Sequence, residues 1–203
     1  MSDKIFLTGI GTGIGKTLIS AILVEKLKAD YWKPIQSGDL HDSDTLKVQS
    51  LVSNDKTVFH PETYRLTQPY SPHKSAALDG IIIDEKKIIA PETSNTLLIE
   101  GAGGLMVPLN EKVMIIDLIA QLGADVILVS QNYLGSINHT LLSIEALKNR
   151  AICIRGIIFN GEENSSTEDY IINYTGLKHL GRVPALDNVN KQTIIDAGAH
   201  ILL

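Results

Sequence analysis

Cysteine, excess basic charge and long hydrophobic runs are all scarce in this sequence of 203 residues. The single cysteine, Cys153, excludes an internal disulfide and a multi-cysteine zinc site, and its apolar neighbours predict a buried, inert thiol. The formal net charge of −5 does not favour a nucleic-acid partner, which needs a clustered basic face. No apolar run is long enough for a membrane span or a signal peptide, so we expect a cytoplasmic protein with no membrane partner.

An ordinary globular composition and a regular alternation of elements predict one α/β domain over residues 1–203. Hydrophobic residues make up 44% and charged residues 20% of the chain. Near-continuous apolar strands separated by helices predict a doubly wound, mainly parallel sheet with helices on both faces. We expect a loop-rich excursion, with room for one helix, over residues 54–91. The predicted strands are 4–8, 31–35, 96–99, 125–130, 154–159 and 180–183, and the predicted helices are 16–28, 42–51, 116–122, 136–148 and 165–174.

The strongest local signal is the segment Gly9-Ile-Gly-Thr-Gly-Ile-Gly-Lys-Thr17, which lies between a predicted strand and a predicted helix. Its amides can cradle phosphates, Lys16 can reach the β- and γ-phosphates, and the Thr17 hydroxyl can hold Mg²⁺. The segment is typical of a P-loop, although five rather than four residues separate its first glycine from the Gly-Lys pair. A dinucleotide site would need glycine at Ile14. The order of strand, loop, Gly-Lys-Thr and helix favours a phosphate site over a glycine turn without a ligand.

Four more polar residues are expected near this loop. Lys33 lies at the carboxyl end of the second predicted strand and can stabilise charge on a transferring phosphoryl group, although a lone loop lysine is usually just solvated. Ser37 can hydrogen-bond a polar substrate. Asp44 opens a helix, where capping alone would explain it, and Glu100 ends a buried strand, where P-loop proteins place a magnesium-associated carboxylate. With Thr17, these two carboxylates would form an oxygen-rich Mg²⁺ site.

Two weaker signals lie further along the chain. Ser136 is predicted to be a helix N-cap, and the amides behind it could bind an anion, although a plain cap is the simpler interpretation. His139 on the same turn is expected to be a structural hydrogen-bonding residue. Asn160 ends a strand and could recognise an adenine edge, but turn chemistry would explain it equally well.

The motifs in combination resemble the dethiobiotin synthetase family. GIGTGIGKT, KPIQSG, DSD, EGAGG with VPL, LGSINHTLL, IIFN and GRVP occur in the family's order, from about Phe6 to Pro184. The Gly-Lys-Thr motif alone is shared by a large superfamily, whereas KPIQSG, EGAGG with VPL, and LGSINHTLL are far more specific as a set. The five-residue spacing of the loop is also the family's own form.

This resemblance implies a P-loop NTPase fold and a homodimer. The implied reaction uses ATP, Mg²⁺ and CO₂ or bicarbonate to carboxylate 7,8-diaminononanoate and close its ureido ring, giving dethiobiotin. The turn from Gly135 to Asn138 would receive the substrate carboxylate across the dimer interface. At Gly13 some members carry an acidic residue, so any contact from that side chain is lost here.

The residue roles that the resemblance implies fall into four sets. The catalytic groups would be Lys33, Lys16 and Thr12. The metal ligands would be Thr17, Asp44 and Glu100. The substrate would contact Thr12, Lys33, Ser37, Gly135, Ser136, Ile137 and Asn138. ATP would contact Gly13, Ile14, Gly15, Lys16, Thr17, Asp44, Glu100, Gly101, Ala102, Gly103, Asn160, Val183, Pro184 and Ala185.

Three other functions compete with this interpretation. A P-loop switch protein resembling the ParA and MinD group is the main alternative, but its signature lysine is replaced here by Gly11. A GTP switch would carry an Asn-Lys-x-Asp motif, which does not occur in the sequence. Related synthetases that act on corrinoids are generally longer, because they include a glutamine-hydrolysing domain.

Overall fold

The computed structural model describes residues 3–203 and is built around a wholly parallel sheet of seven strands. Parallel strands need crossover connections, which here are mostly helices. The strands are β1 (Lys4–Gly9), β2 (Asp30–Trp32), β3 (Ile35–Ser37), β4 (Phe59–His60), β5 (Tyr64–Leu66), β6 (Leu97–Gly104), β7 (Asp125–Gln131), β8 (Ile154–Asn160) and β9 (His179–Val183). Their order across the sheet is β4-β2-β6-β1-β7-β8-β9, while β3 and β5 form a separate parallel pair.

Helices cover both faces of this sheet, as predicted. The helices are α1 (Lys16–Leu27), α2 (Asp44–Leu51), α3 (Pro72–Leu78), α4 (Ile115–Leu122), α5 (Ser136–Lys148), α6 (Ser165–Thr175) and α7 (Lys191–Ala199). Side chains from α1, α2 and α7 share one core layer, and side chains from α3 to α6 share the other. None of the helices in residues 3–203 combines the length and apolar character needed to cross a bilayer.

The alternation of side chains along β1 explains the two core layers. Phe6 points into the layer beneath α3 to α6, whereas Ile5 and Leu7 point toward α1, and all three are buried. Burying one such side chain contributes roughly 1.5–3 kcal/mol to folding. The same alternation places Glu100, which pairs with Leu7 across β1 and β6, on the α1 side.

The predicted strand over residues 31–35 is wrong as one element, because the structure divides it into β2 and β3. Lys33 and Pro34 lie between the two strands. Proline has no amide to donate to a strand ladder, so β2 ends before it. The Pro34 carbonyl instead accepts from the amides of Thr63 and Tyr64, which starts the separate β3–β5 pair.

Other boundaries also differ from the sequence prediction. The strand expected to end at Glu100 continues to Gly104, which pairs with Gly9 of β1 after a shift in register. The helix expected from residue 42 begins at Asp44, with Ser43 as its N-cap. The excursion over residues 54–91 contains the expected helix, α3, together with β4, β5 and a short 3-10 turn. Helix α7 was not predicted from the sequence, although Asn190 forms a capping box with Thr193 at its start.

The predicted burial of Cys153 is wrong. Cys153 is exposed. It lies immediately before β8, and its backbone carbonyl accepts a hydrogen bond from the Val126 amide. Desolvation and, after it, the neighbouring Asp125 raise the pKa of the thiol above its ordinary value, which favours the less reactive thiol form.

A buried carboxylate joins the amino ends of three strands at the opposite edge from the phosphate loop. Asp30, at the start of β2, accepts from the Val58 amide at 3.0 Å, Thr93 Oγ1 at 2.7 Å and Asn95 Nδ2 at 3.1 Å. Burial alone would raise the pKa of this carboxyl, but the donors hold it below its ordinary value.

We expect Asp30→Ala to lower the free energy of unfolding by about 2–4 kcal/mol at pH 7, because the donors lose their buried acceptor. The carboxylate contribution is present above the unfolded pKa of about 4 and is lost as pH falls through the lower folded pKa. Urea unfolding at several pH values measures this difference. Asp55→Ala, at an exposed position, is the control, and an equal loss in both variants would contradict the prediction.

Candidate functional site

The carboxyl ends of β1, β2 and β6 enclose a cavity of about 730 Å³. Ligands of doubly wound sheets bind at this edge. The cavity brings together most of the predicted phosphate, metal and substrate residues. Its lining consists of Thr12, Gly13, Gly15, Lys16, Thr17, Lys33, Ile35, Gln36, Ser37, Asp44, Pro69, Tyr70, Ser71, Pro72, Glu100, Ala102, Gly103 and Val107.

The glycine-rich loop wraps around one end of the cavity. Gly15 has a φ of +86° and forms the N-terminal boundary of α1, so the first amides of the helix face the cavity end. A Cβ at Gly15 would lie 2.2 Å from Asn160 Nδ2. Asn160 itself donates from Nδ2 to the Ile14 carbonyl at 2.9 Å, which ties the loop to the end of β8. Ile14 buries its side chain, so it can offer a ligand its main chain alone.

Lys16 is buried at the base of the loop. Its Nζ donates to the Gly11 carbonyl at 2.9 Å. Burial lowers the pKa of the Lys16 ammonium to about 8, while Glu100 opposes this shift. A phosphate anion beside Nζ would favour the charged form, so the loop is prepared to pair this lysine with a nucleotide.

Three oxygen-bearing side chains meet beside the loop. Thr17 Oγ1 lies 3.0 Å from Asp44 Oδ1 and 3.1 Å from Glu100 Oε1. Mg²⁺ prefers such hard oxygen ligands and commonly uses one or two carboxylates together with phosphate oxygens. The donor set therefore fits Mg²⁺, and the described residues contain no cluster of three or more histidine, cysteine, aspartate or glutamate side chains that would suggest another metal.

Lys33 lies between the two carboxylates. Its Nζ is 2.5 Å from Asp44 Oδ2 and 3.0 Å from Glu100 Oε1. Burial alone would lower the pKa of Lys33, but the two carboxylates raise it above its ordinary value, so the side chain is a cation. The same cation lowers the pKa of Asp44 against the effect of burial. A fully buried, charged lysine that lines the cavity is distinct from the solvated loop lysine that a lone motif would suggest.

The far wall of the cavity includes residues that the sequence analysis did not identify. Ser37 was predicted, and its buried Oγ lacks a hydrogen-bond partner among the described residues. Gln36 was missed; its Oε1 accepts from the Asp44 amide at 3.2 Å. The segment from Pro69 to Pro72 was also missed, because it carries no chemical motif and reaches the cavity by packing Pro69 against Gly38.

Glu100 has two further partners that the sequence analysis missed. Ser20 Oγ donates to Glu100 Oε2 at 2.6 Å, and Tyr31 OH donates to the same atom at 3.0 Å. Ser20 lies three residues after Thr17 and therefore on the same side of α1, which is a signal that could have identified it. Burial and the nearby carboxylates raise the pKa of Tyr31 well above its ordinary value, so its phenol stays protonated.

The predicted N-cap at Ser136 is wrong, because Gly135 occupies that position with a φ of +101° and Ser136 is the buried first residue of α5. The Ser136 amide donates to Tyr133, whereas Ile137 and Asn138 supply amides of the first helical turn. Gly135, Ser136 and Ile137 line a second cavity of about 480 Å³, separate from the main one. His139 accepts or donates one hydrogen bond with Tyr133 OH at 2.8 Å, consistent with a structural role.

The predicted base-binding residues lie together at the ends of β8 and β9. Asn160 pairs with Val183 across these strands, and the Gly161 amide donates to the Val183 carbonyl. Val183 buries its side chain in the core, while Pro184 and Ala185 are exposed. A nucleotide base at this position would therefore meet the Asn160 amide and the main chain around Pro184.

The order of the strands, the phosphate loop and the cluster of Thr17, Asp44 and Glu100 together define a P-loop nucleotide-binding protein. Residues 3–193 match the protein family described as an AAA domain. The chain is 54% identical over 196 residues to the ATP-dependent dethiobiotin synthetase BioD of Christiangramia forsetii, covering 97% of this chain and 91% of that one. It is 47% identical to the enzyme of the same name from Cytophaga hutchinsonii, covering 94% of this chain and 93% of that one. The chain belongs to the ATP-dependent dethiobiotin synthetase family.

Solved structures with the same fold include proteins of other functions. The MinD septum site-determining protein of Pyrococcus horikoshii has a TM-score of 0.64 at 13% identity, covering 98% of this chain and 95% of that one. A ParA family ATPase from Chlorobium tepidum has a TM-score of 0.62 at 14% identity, covering 99% of this chain and all (100%) of that one. At such low identity the likeness shows the fold alone, and it confirms the predicted P-loop fold.

We expect Gly15→Ala to weaken ATP binding by about 10- to 100-fold, because a side chain there is strained at positive φ and collides with Asn160. Calorimetric titration with ATP measures the loss. Gly11→Ala is the matched control within the same loop, because a Cβ there meets no atom within 4 Å. An unchanged affinity of Gly15→Ala would contradict the loop geometry.

Proposed function

We propose that this chain is an ATP- and Mg²⁺-dependent cyclo-ligase that converts 7,8-diaminononanoate and CO₂ to dethiobiotin, ADP and phosphate. Family membership supports the reaction, since relatives at 54% and 47% identity carry the name of this enzyme. The observation that carries the proposal is one cavity that holds the phosphate loop, a buried Lys33 and a Ser37 hydroxyl with no partner among residues 3–203. Such a cavity can hold a triphosphate end and a small polar substrate side by side.

The phosphate end of the cavity positions ATP. The amides from Gly13 to Thr17 and the backbone from Glu100 to Gly103 would surround the phosphates, and Lys16 would neutralise the β- and γ-phosphates. Thr17, Asp44 and Glu100 would hold Mg²⁺, which supplies charge neutralisation on the phosphate oxygens. Asn160 and the main chain from Val183 to Ala185 would receive the adenine.

The reaction proceeds by transfer between groups held side by side. One amine of the substrate attacks CO₂, loses a proton and becomes a carbamate. A carbamate oxygen then attacks the γ-phosphorus and ADP leaves, which gives a mixed carbamic–phosphoric anhydride. The second amine attacks the carbonyl carbon, loses a proton and expels phosphate as the ureido ring closes. The protein need only align these groups and neutralise charge.

Lys33 is the group best placed to serve both reactants. It is held in the cavity wall by Asp44 and Glu100, and it is a cation. Its ammonium can therefore stabilise the carbamate and the charge that develops on the transferring phosphoryl group. Thr12, on the exposed part of the loop, and Ser37, whose hydroxyl has no hydrogen-bond partner in the described part of the chain, would orient the diamine or carbamate.

The substrate carboxylate requires a second anion site at the far end of an extended chain. The start of α5, from Gly135 to Asn138, offers first-turn amides but does not line the main cavity of its own chain. We infer a homodimer in which this turn reaches the cavity of the neighbouring subunit. In the same proposal the enzyme acts in the cytoplasm, without a nucleic-acid or membrane partner.

Phosphate release by the purified protein is expected to require MgATP, 7,8-diaminononanoate and bicarbonate together. Because the nucleophile forms from the amine and CO₂, omission of either should reduce release to the level of slow hydrolysis. A phosphate assay with mass-spectrometric detection of dethiobiotin measures this. Vigorous hydrolysis with neither substrate, or stimulation by DNA or lipid vesicles, would instead favour a ParA- or MinD-like switch.

Lys16→Ala and Lys33→Ala are each expected to lower turnover by about 10² or more, since each removes a charge contact of the transition state. Lys16→Ala should also weaken ATP binding. Lys33→Ala should leave it largely intact, because its partners are the carbamate and the transferring group. Calorimetry and single-turnover kinetics separate the two effects. Loss of ATP binding in Lys33→Ala, with turnover of bound ATP retained, would disprove this division.

Asn138→Asp places a negative charge on the exposed start of α5 and is expected to weaken binding of the substrate carboxylate. Mixing this variant with Lys16→Ala should restore part of the activity, because a heterodimer contains one site with both halves intact. The assay is run where both parents are inactive and subunit exchange is demonstrated by mass spectrometry. Failure to restore activity under those conditions would place both contacts in one subunit.

A further inference from the structure

We propose that Ser20 and Tyr31 are positioning residues that fix one oxygen of Glu100 so that its other oxygen faces the metal and phosphate. The inference rests on the proposed function, because it assigns Glu100 to a magnesium site. Neither residue lines the main cavity. Both act through Glu100, whose side chain connects the sheet to the site.

The four contacts of Glu100 divide evenly between its two oxygens. Ser20 Oγ and Tyr31 OH donate to Oε2, at 2.6 Å and 3.0 Å. Thr17 Oγ1 and Lys33 Nζ lie 3.1 Å and 3.0 Å from Oε1. One oxygen is therefore held by buried donors behind the site, and the other is presented to the groups that line the cavity.

This division matters because a carboxylate rotates easily about its last torsion. With nothing bound to Oε2, the two oxygens could exchange, or the group could turn toward Lys33 alone. Two donors on one oxygen remove that freedom and also compensate a charge that is almost fully buried. Partners of this kind typically change metal affinity by 10- to 100-fold when they are lost.

Both donors are themselves held by the fold. Ser20 is completely buried on α1, three residues after Thr17, so one helix face supplies contacts to both oxygens of Glu100. Tyr31 is completely buried on β2, whose neighbour in the sheet is β6, and its ring packs on Phe59 at a centroid distance of 5.9 Å. The hydroxyl of each residue can therefore be removed without moving the elements that carry it.

The test measures Mn²⁺ affinity directly, by calorimetric titration into protein mixed with one equivalent of a non-hydrolysable ATP analogue at concentrations far above its Kd. Ser20→Ala, Tyr31→Phe and the double variant are compared with wild type. We expect each single variant to bind Mn²⁺ more weakly and the double variant to lose at least about tenfold. Affinity for the analogue in EDTA should stay within about twofold in all of them, since the phosphate loop is unchanged.

Two controls remove a hydrogen-bonded hydroxyl elsewhere. Ser130→Ala deletes a buried hydroxyl that lies 2.9 Å from Thr140 Oγ1, and Tyr64→Phe deletes one that bonds to the backbone of Asp84. Both should lower the thermal midpoint as the test variants do but leave Mn²⁺ affinity unchanged. If the double variant folds poorly, the two single variants supply the comparison, because Tyr31→Phe keeps the aromatic ring that packs in the core.

Glu100→Gln separates failure of this inference from failure of the proposed metal site. If Glu100→Gln weakens Mn²⁺ binding while the Ser20 and Tyr31 variants bind as tightly as wild type, the positioning role is wrong and the metal site stands. If Glu100→Gln itself leaves Mn²⁺ affinity unchanged, Glu100 is not a ligand and both proposals are overturned.

Discussion

The carboxylate of Glu100 is the constraint on which the rest of the site depends. It is almost fully buried at the end of β6, where an unpaired charge would be costly. Its partners come from α1, from β2 and from the residue that follows β2, so three parts of the chain must meet at one side chain. Fold stability and site geometry are therefore joined, because any movement of these elements leaves a buried carboxylate without its donors.

A second constraint holds the phosphate loop from its other side. Asn160, at the end of β8, donates to the Ile14 carbonyl, and its amide fills the space that a side chain at Gly15 would need. The loop is thus held between β8 and β6 by contacts within the protein itself. A loop already held in this form binds phosphate without first losing conformational entropy. Asn160 can hold the loop through Nδ2 and still present Oδ1 to a nucleotide base.

Residues that follow a strand or a Gly-Lys-Thr motif could be predicted from the sequence, because parallel strands bring their carboxyl ends to one edge. Lys16, Lys33 and Glu100 were found in this way. Tyr31 was not, since its hydroxyl is used inside a strand whose residues look like ordinary core. Pro69 to Pro72 reach the cavity through tertiary packing that leaves no local pattern. Ser136 was misassigned because a glycine with positive φ replaced the expected side-chain cap.

The division of the cavity wall explains how a shared fold can support a particular chemistry. Its phosphate end is formed by residues of β6 and of the loop between β1 and α1, in a fold shared with the ParA and MinD structures. Its far wall is formed by Ser37 and by the segment from Pro69 to Pro72, which lies in the excursion between β2 and β6. Pro69 packs directly against Gly38, so the excursion and the residues after β2 form one surface. If the proposed function holds, we expect selection of the second substrate to depend on the excursion and binding of the phosphates to depend on β1, α1 and β6.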